Sequence, residues 1–159
     1  MEIKYRPIGV IRSPFKEIEG MPIQPKGAVG VQGTVELLPE FVDGLKDLEG
    51  FSHIILVYHF HRVRGFRLVV TPFLDTRPHG VFATRAPRRP NPIGLSVVRL
   101  ISIERNILHV ENVDILDGTP LLDIKPYVPE FDRPVAEGVG WLEQAKGKVR
   151  SKRSDDRFR

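Results

Sequence analysis

The sequence predicts an all-β fold: a compact single-domain β-barrel, mainly β with short helices and not of the Rossmann type. Three observations carry this. The strand-like segments are short and either alternate or are β-branched. They are separated by turn residues, with 14 prolines and 14 glycines in 159 positions. No glycine fingerprint of a nucleotide-binding βαβ unit follows any of them. Many short strands punctuated by Pro and Gly close into a barrel or a sandwich. A chain of this length reads as one domain and buries roughly 70% of its unfolded surface without staples.

The elements follow in order. Residues 8–11 form a short apolar strand candidate. Residues 30–37 alternate, with Val31, Gly33, Val35 and Leu37 on one side and Gln32, Thr34 and Glu36 on the other, which predicts a half-buried strand. Residues 40–50 read as a short helical stretch ending at Gly50. Residues 52–61 are apolar on both faces at their centre and β-branched, so they predict a central strand. Segment 67–71 is a short candidate that stops at Pro72, and 81–84 is another. Segments 95–104 and 107–113 flank Arg105-Asn106 and predict a hairpin. Residues 121–125 are a last strand candidate. A weakly amphipathic helix is expected over 137–148, around Trp141 and Leu142. The organisation expected is a barrel domain over 1–145 and a basic C-terminal tail over 146–159.

Composition narrows the function. There is no cysteine, which excludes disulfides, thiolate metal sites and a cysteine nucleophile. The longest apolar run, 54–58, is far short of the roughly 20 residues a membrane helix needs. The N-terminal residues lack a signal-peptide pattern, so a cytoplasmic address is expected. The net charge of +4 is unevenly spread. Residues 62–105 hold nine arginines against Asp75 and Glu104, and residues 146–159 hold seven basic side chains against Asp155 and Asp156. The remainder is acidic. Concentrated positive charge suits a polyanionic partner. Walker, nucleophile-elbow and His-Glu-x-x-His motifs are all missing.

Three stretches resist a packing explanation. Residues 71–93 hold Pro72, Pro78, Pro87, Pro90 and Pro92 together with Arg77, Arg85, Arg88 and Arg89. Each proline fixes φ and removes a donor, so the loop is stiff without regular structure. Arginines on a stiff loop are already partly ordered for binding phosphate or carboxylate. Residues 114–120 read Asp-Ile-Leu-Asp-Gly-Thr-Pro, a strong turn signal that also places a carboxylate and backbone amides near any polar ligand. Finally, His53, His59 and His61 share strand parity, as a metal-binding face would require, although no carboxylate follows at short spacing.

Five separated blocks then carry a resemblance. They are Ile8-Gly9-Val10-Ile11-Arg12-Ser13-Pro14-Phe15, Leu48-Glu49-Gly50-Phe51-Ser52-His53-Ile54, Gly80-Val81-Phe82-Ala83-Thr84-Arg85, Arg89-Pro90-Asn91-Pro92-Ile93-Gly94, and Asp117-Gly118-Thr119-Pro120 with Asp123-Ile124-Lys125-Pro126-Tyr127. In this order, over about 5–132, the chain resembles the TsaA-like/TrmO family of tRNA methyltransferases. The resemblance implies a barrel that binds S-adenosyl-L-methionine without a Rossmann fold. It implies a homodimer, and methyl transfer to N6 of N6-threonylcarbamoyladenosine beside the anticodon of tRNA. Donor contacts by motif position fall on Gln24, Pro25 and Lys26, on Phe60, His61 and Arg62, on Arg85 and Leu95, and on Leu116, Asp117, Gly118 and Thr119. Candidates for the proton acceptor are His61 and Asp117, and the sequence does not choose between them. Arg77, Arg88, Arg89, Lys148, Lys152 and Arg153 are the candidates for tRNA contact. The short form of the chain resembles archaeal members, and residues 146–159 are expected to stay mobile until RNA binds. Two other readings are a donor- or nucleotide-binding module without catalysis and a metal enzyme using the three histidines.

Overall fold

The fold is described from a computed structural model covering residues 1–145 and 147–158. Lys146 and Arg159, which belong to the expected basic tail, lie outside the described residues, as does the Lys146 position of the expected helix over 137–148. Six strands close an antiparallel barrel: β1 (Gly9–Arg12), β2 (Gln32–Leu37), β3 (His53–His59), β6 (Ile93–Glu104), β7 (Ile107–Glu111) and β8 (Thr119–Pro126). The order around the barrel is β1-β2-β7-β6-β3-β8, and β8 returns to β1. A separate two-stranded ribbon pairs β4 (Val69–Val70) with β5 (His79–Gly80). One short helix, α1 (Pro129–Asp132), follows the last strand.

Alternation builds the barrel. On β2 the inward phase carries Val35 and Leu37, on β3 Ile54, Leu56 and Tyr58, and on β7 Leu108 and Val110, all buried. The same phase on β6 carries Gly94, Ser96, Val98 and Leu100. Opposed pairs bring these together across the sheet, with Ile11 facing Val35 and Leu56 facing Ser96. The β6–β7 hairpin turns at Arg105, whose φ is +55°, and Asn106 Nδ2 donates to Leu37 O at 2.8 Å. An irregularity between Leu100 and Ser102 shifts the register below it.

Several expectations differ from the structure. Residues 40–50 form two 3-10 turns, Pro39–Leu45 and Leu48–Gly50, because Asp47 between them adopts φ +67° and breaks the helical run. The expected helix over 137–148 is likewise divided into turns at Gly140–Ala145 and Lys148–Arg150, with Gly140 at φ +57° and Gly147 at φ +83°. Residues 81–84 are not a strand. Val81–Ala83 is a 3-10 turn, and its carbonyls serve other donors: Thr84 Oγ1 and Arg89 Nη1 both donate to Val81 O.

The C-terminal segment is packed rather than free. Ser154 Oγ accepts from Met21 N at 2.9 Å and donates to Ile18 O. Arg153 bridges Pro22. Phe158 is buried with Val70, Val81, Ala86 and Phe73 in a second small core. The expectation of a mobile tail rested on its charge. Phe158 and Ser154 supply the apolar and hydrogen-bonding anchors that charge counting overlooks.

One close approach fixes the mouth of the barrel. A Cβ on Gly94 would stand 2.3 Å from Tyr58 Cε2 and 2.8 Å from Phe60 Cζ. Only glycine lets the two rings lie against β6. Gly94→Ala is expected to destabilise the protein by about 1–3 kcal/mol through overpacking, read as a lowered midpoint in thermal or urea denaturation.

Candidate functional site

The loops at one end of the barrel hold most of the predicted donor residues. Gln24 precedes the 3-10 turn Pro25–Gly27 in an extended conformation. Its Oε1 accepts from Arg85 Nη1 at 3.1 Å, across 61 residues of sequence. Phe60, His61 and Arg62 leave the end of β3. Phe60 N donates to Pro92 O at 2.8 Å, tying this exit to the proline loop. The Phe60 ring meets Tyr58 edge-on at 5.5 Å. Arg62 and Arg64 share a cavity with Glu17 and Ile18. Leu95 lies on the outer phase of β6, 59% exposed.

The turn over 116–119 is latched to the 11–16 segment. Gly118 adopts φ +77°, a conformation glycine reaches without strain. Its N–H donates to Ile11 O at 2.9 Å, and Asp117 N donates to Phe15 O at 2.8 Å. Asp117 Oδ1 accepts from Ser13 N at 3.0 Å, and Oδ2 pairs with Lys16 Nζ at 2.7 Å. The Lys16 bond first, then the Ser13 N–H and the nearby cations, hold this carboxyl below the usual carboxylate range. A carboxylate so engaged is a weak proton acceptor and serves to hold the turn. His61 differs. Burial first, then Arg62 and His59, lower its pKa below that of ordinary imidazole. At neutral pH it is therefore uncharged, with a lone pair available.

The sequence reading missed a buried polar chain. Tyr58 Oη lies 2.9 Å from Ser96 Oγ, and Ser96 Oγ donates to Asp114 Oδ1 at 2.6 Å. Burial pushes Asp114 up to about 6, opposed by the Ser96 bond, a backbone hydrogen bond and the charge of Arg85. Burial and the Asp114 charge also raise the Tyr58 phenol. Alternation held the signal: Tyr58 and Ser96 stand at inward positions of otherwise apolar strands, and buried polar groups require partners. Arg85 thus serves both sides, bonding Gln24 and acting electrostatically on Asp114.

The tRNA candidates divide. Arg89 Nη1 donates to Val81 O, Thr84 O and Ala86 O at 3.2, 2.7 and 3.1 Å. It closes the loop on itself, a structural role the sequence does not disclose. Arg77 bonds Gln144 Oε1 at 3.1 Å and lies 3.5 Å from Asp75. Trp141 Nε1 donates to Ala83 O at 2.8 Å, and its ring stacks on His79 at 4.6 Å. Arg153 donates to the carbonyls of Arg150 and Lys152. Lys148 opens the 3-10 turn Lys148–Arg150, and Lys152 is partly buried. Trp141 and Gln144 thus lie on the proline loop, and Arg157 Nη1 donates to Pro72 O at 2.9 Å, so the two basic blocks of the sequence meet in space.

The metal reading is not supported. His53 opens β3 and bonds Ser52 Oγ, His59 closes the strand, and His61 lies beyond it. Six residues of strand separate the first two by about 20 Å. Among the described residues no group of three His, Cys, Asp or Glu is placed to hold a metal ion.

A closed antiparallel barrel with this loop cluster at its mouth defines a small-barrel binding domain built without nucleotide-binding βαβ units. The chain belongs to the TrmO_N family: the model described as tRNA-methyltransferase O N-terminal domain matches residues 10–133. It is similar to a probable S-adenosyl-L-methionine-binding protein of Pyrococcus abyssi, 60% identical over 156 residues, covering 98% of this chain and 85% of the relative. It is similar to tRNA (adenine(37)-N6)-methyltransferase of Escherichia coli, 40% identical over 136 residues, covering 79% of this chain and 58% of the relative. The crystal structure of TrmO from Pseudomonas aeruginosa superimposes with a TM-score of 0.75 at 45% identity, covering 89% of this chain. The chain spans 63% of the length of that protein.

Asp114 sets a pH dependence. Its folded pKa of about 6 exceeds the unfolded value near 3.8. Between these values the native state holds a proton that the unfolded chain has released, so stability falls as pH rises through the window. Asp114→Asn is expected to flatten this decline while keeping an acceptor for Ser96, measured as melting temperature against pH from 4 to 8.

Proposed function

We propose that the chain is an S-adenosyl-L-methionine-dependent methyltransferase acting on N6 of N6-threonylcarbamoyladenosine next to the anticodon of tRNA. The observation that carries this is the meeting of Gln24 and Arg85 at 3.1 Å beside the half-buried Asp114. Family membership and the names of the relatives support it. The residues fit the donor. The Arg85 and Arg62 guanidiniums suit its carboxylate. The half-buried Asp114 suits its positive charges. Phe60, the 75%-exposed Phe82 and Leu95 offer apolar and aromatic surface to its adenine.

When bound, the donor supplies an electrophilic methyl on a cationic sulfonium. The protein's contribution is positioning, with loops held by Asp117–Lys16 and by Arg89 so that little reorganises on binding. The acceptor nitrogen must give up one proton as it takes the methyl. His61, uncharged at neutral pH, is the better of the two candidate acceptors, since both Asp117 oxygens are engaged. Arg77, Arg88 and the cations of the folded-over segment face the RNA.

The homodimer reading finds its support on the barrel's outer face. Ile93, Leu95, Val97 and Ile101 on β6 are all exposed apolar side chains. A row of this kind suits a self-complementary contact. Light scattering is expected to give twice the chain mass for wild type and a single chain mass for Val97→Glu. A monomeric wild type overturns the dimer.

The function is tested with labelled S-adenosylmethionine and bulk tRNA carrying or lacking the threonylcarbamoyl group. Label on the modified tRNA only is expected. Arg85→Ala should weaken donor affinity about tenfold by calorimetry, the scale of one lost charge-assisted hydrogen bond. Donor binding with no transfer to either tRNA would favour a binding module without catalysis. No donor binding would overturn both readings.

A further inference from the structure

A second cavity, of about 470 Å³, lies under the proline loop and shares no lining residue with the donor cluster. Arginines from three parts of the chain line it: Arg67, Arg88 and Arg157. The first two are held side by side, with Arg67 N donating to Arg88 O at 3.3 Å. Arg157 arrives from the C-terminal segment, anchored by Nη1 to Pro72 O at 2.9 Å and stacked over Phe73 at 5.2 Å.

The charges around this cavity do not balance. Among the described residues Asp75 is its only acidic lining residue, and it is committed elsewhere. It pairs with His79 Nε2 at 2.8 Å and accepts from the N–H groups of Thr76 and Arg77 at 2.7 and 3.2 Å. Arg157 is paired with Asp155 through Nη2 at 2.6 Å. Arg67 and Arg88 have no ion-pair partner among the described residues. The Nε of Arg88 is buried and has no hydrogen-bond partner among the described residues. An unmade bond at a buried, charged donor is costly, and a native structure retains one only where something else satisfies it.

We propose that this cavity is a binding site for a phosphate group. Guanidinium forks match the spacing of phosphate oxygens, and Arg67 and Arg88 bring to this cavity two forks without a carboxylate partner among the described residues. Val69, Pro78 and Phe158 give the cavity an apolar wall for whatever carries the phosphate. That carrier is an RNA strand, through its phosphodiester, or a free phosphorylated small molecule. Where the carrier is RNA the site rests, through Arg88, on the proposed tRNA reading, whereas phosphate binding itself is read out without methyl transfer.

The test follows the Arg88 Nε–Hε resonance by NMR in the full chain. Inorganic phosphate is titrated at constant ionic strength, with chloride as the control. A saturable shift with phosphate and none with chloride is expected. Arg67→Ala should weaken phosphate binding at least tenfold, and it carries the test even if Arg88→Ala does not fold. Transfer RNA is then added. Movement of the same resonance, with the salt slope of tRNA binding reduced by about one in Arg67→Ala, identifies the RNA backbone as the source. Movement with phosphate but not with tRNA identifies a small molecule. A resonance that responds to neither overturns the proposal.

Discussion

A carboxyl group held inside the mouth of an apolar barrel governs the arrangement around it. Asp114 sits between Val113 and Ile115, both almost wholly buried, and its charge has few places to go. Ser96 donates to it, Tyr58 completes the chain, and Arg85 supplies the opposing charge from across the opening. Each link constrains a neighbour. Tyr58 can reach Ser96 only because Gly94 has no side chain in its path. Arg85 is positioned in turn by Gln24, which brings the 3-10 turn Pro25–Gly27 to the same rim. The geometry of the candidate donor site thus follows from accommodating one half-buried acid.

A different economy operates in the proline loop. Prolines remove donors from 72–92, leaving carbonyls that no ladder can satisfy. Arg89 answers three of them with a single nitrogen. The C-terminal segment covers the rest of the loop through Trp141, Arg157 and Phe158. Rigidity here comes from arginine and aromatic side chains acting on irregular backbone, where the barrel relies on strand pairing.

The barrel was legible wherever side-chain parity was strong. Strands over 30–37, 52–61 and 95–113 were found because apolar and polar residues alternate or β-branched residues cluster, and the matching structural strands differ only at their ends. The two expected helices failed for a local reason, since positive-φ residues at Asp47, Gly140 and Gly147 interrupt each of them. At the site, sequence blocks pointed to Gln24 and Arg85, while their contact is a tertiary fact invisible to spacing. Within the 114–120 stretch the turn chemistry of Asp-Gly points to Asp117, and nothing local distinguishes Asp114. The decisive clue lay instead in Ser96 and Tyr58, polar residues on the inward phase of two strands. Arg89 shows the opposite failing: an arginine in a basic run looks available until its carbonyl partners are seen.

Closure of the barrel also bears on how the protein behaves in a crowded, hot or partly unfolded solution. Strand β1 pairs with both β2 and β8, so the six-stranded sheet offers no unpaired rim of amides to another chain. Among the described residues, open edges remain only on the β4–β5 ribbon, whose strands are two residues long. That is too short to template a stranger. The exposed apolar row on β6 can therefore meet another molecule through side chains but not by adding a strand, which leaves sticky surface without a route to fibrils.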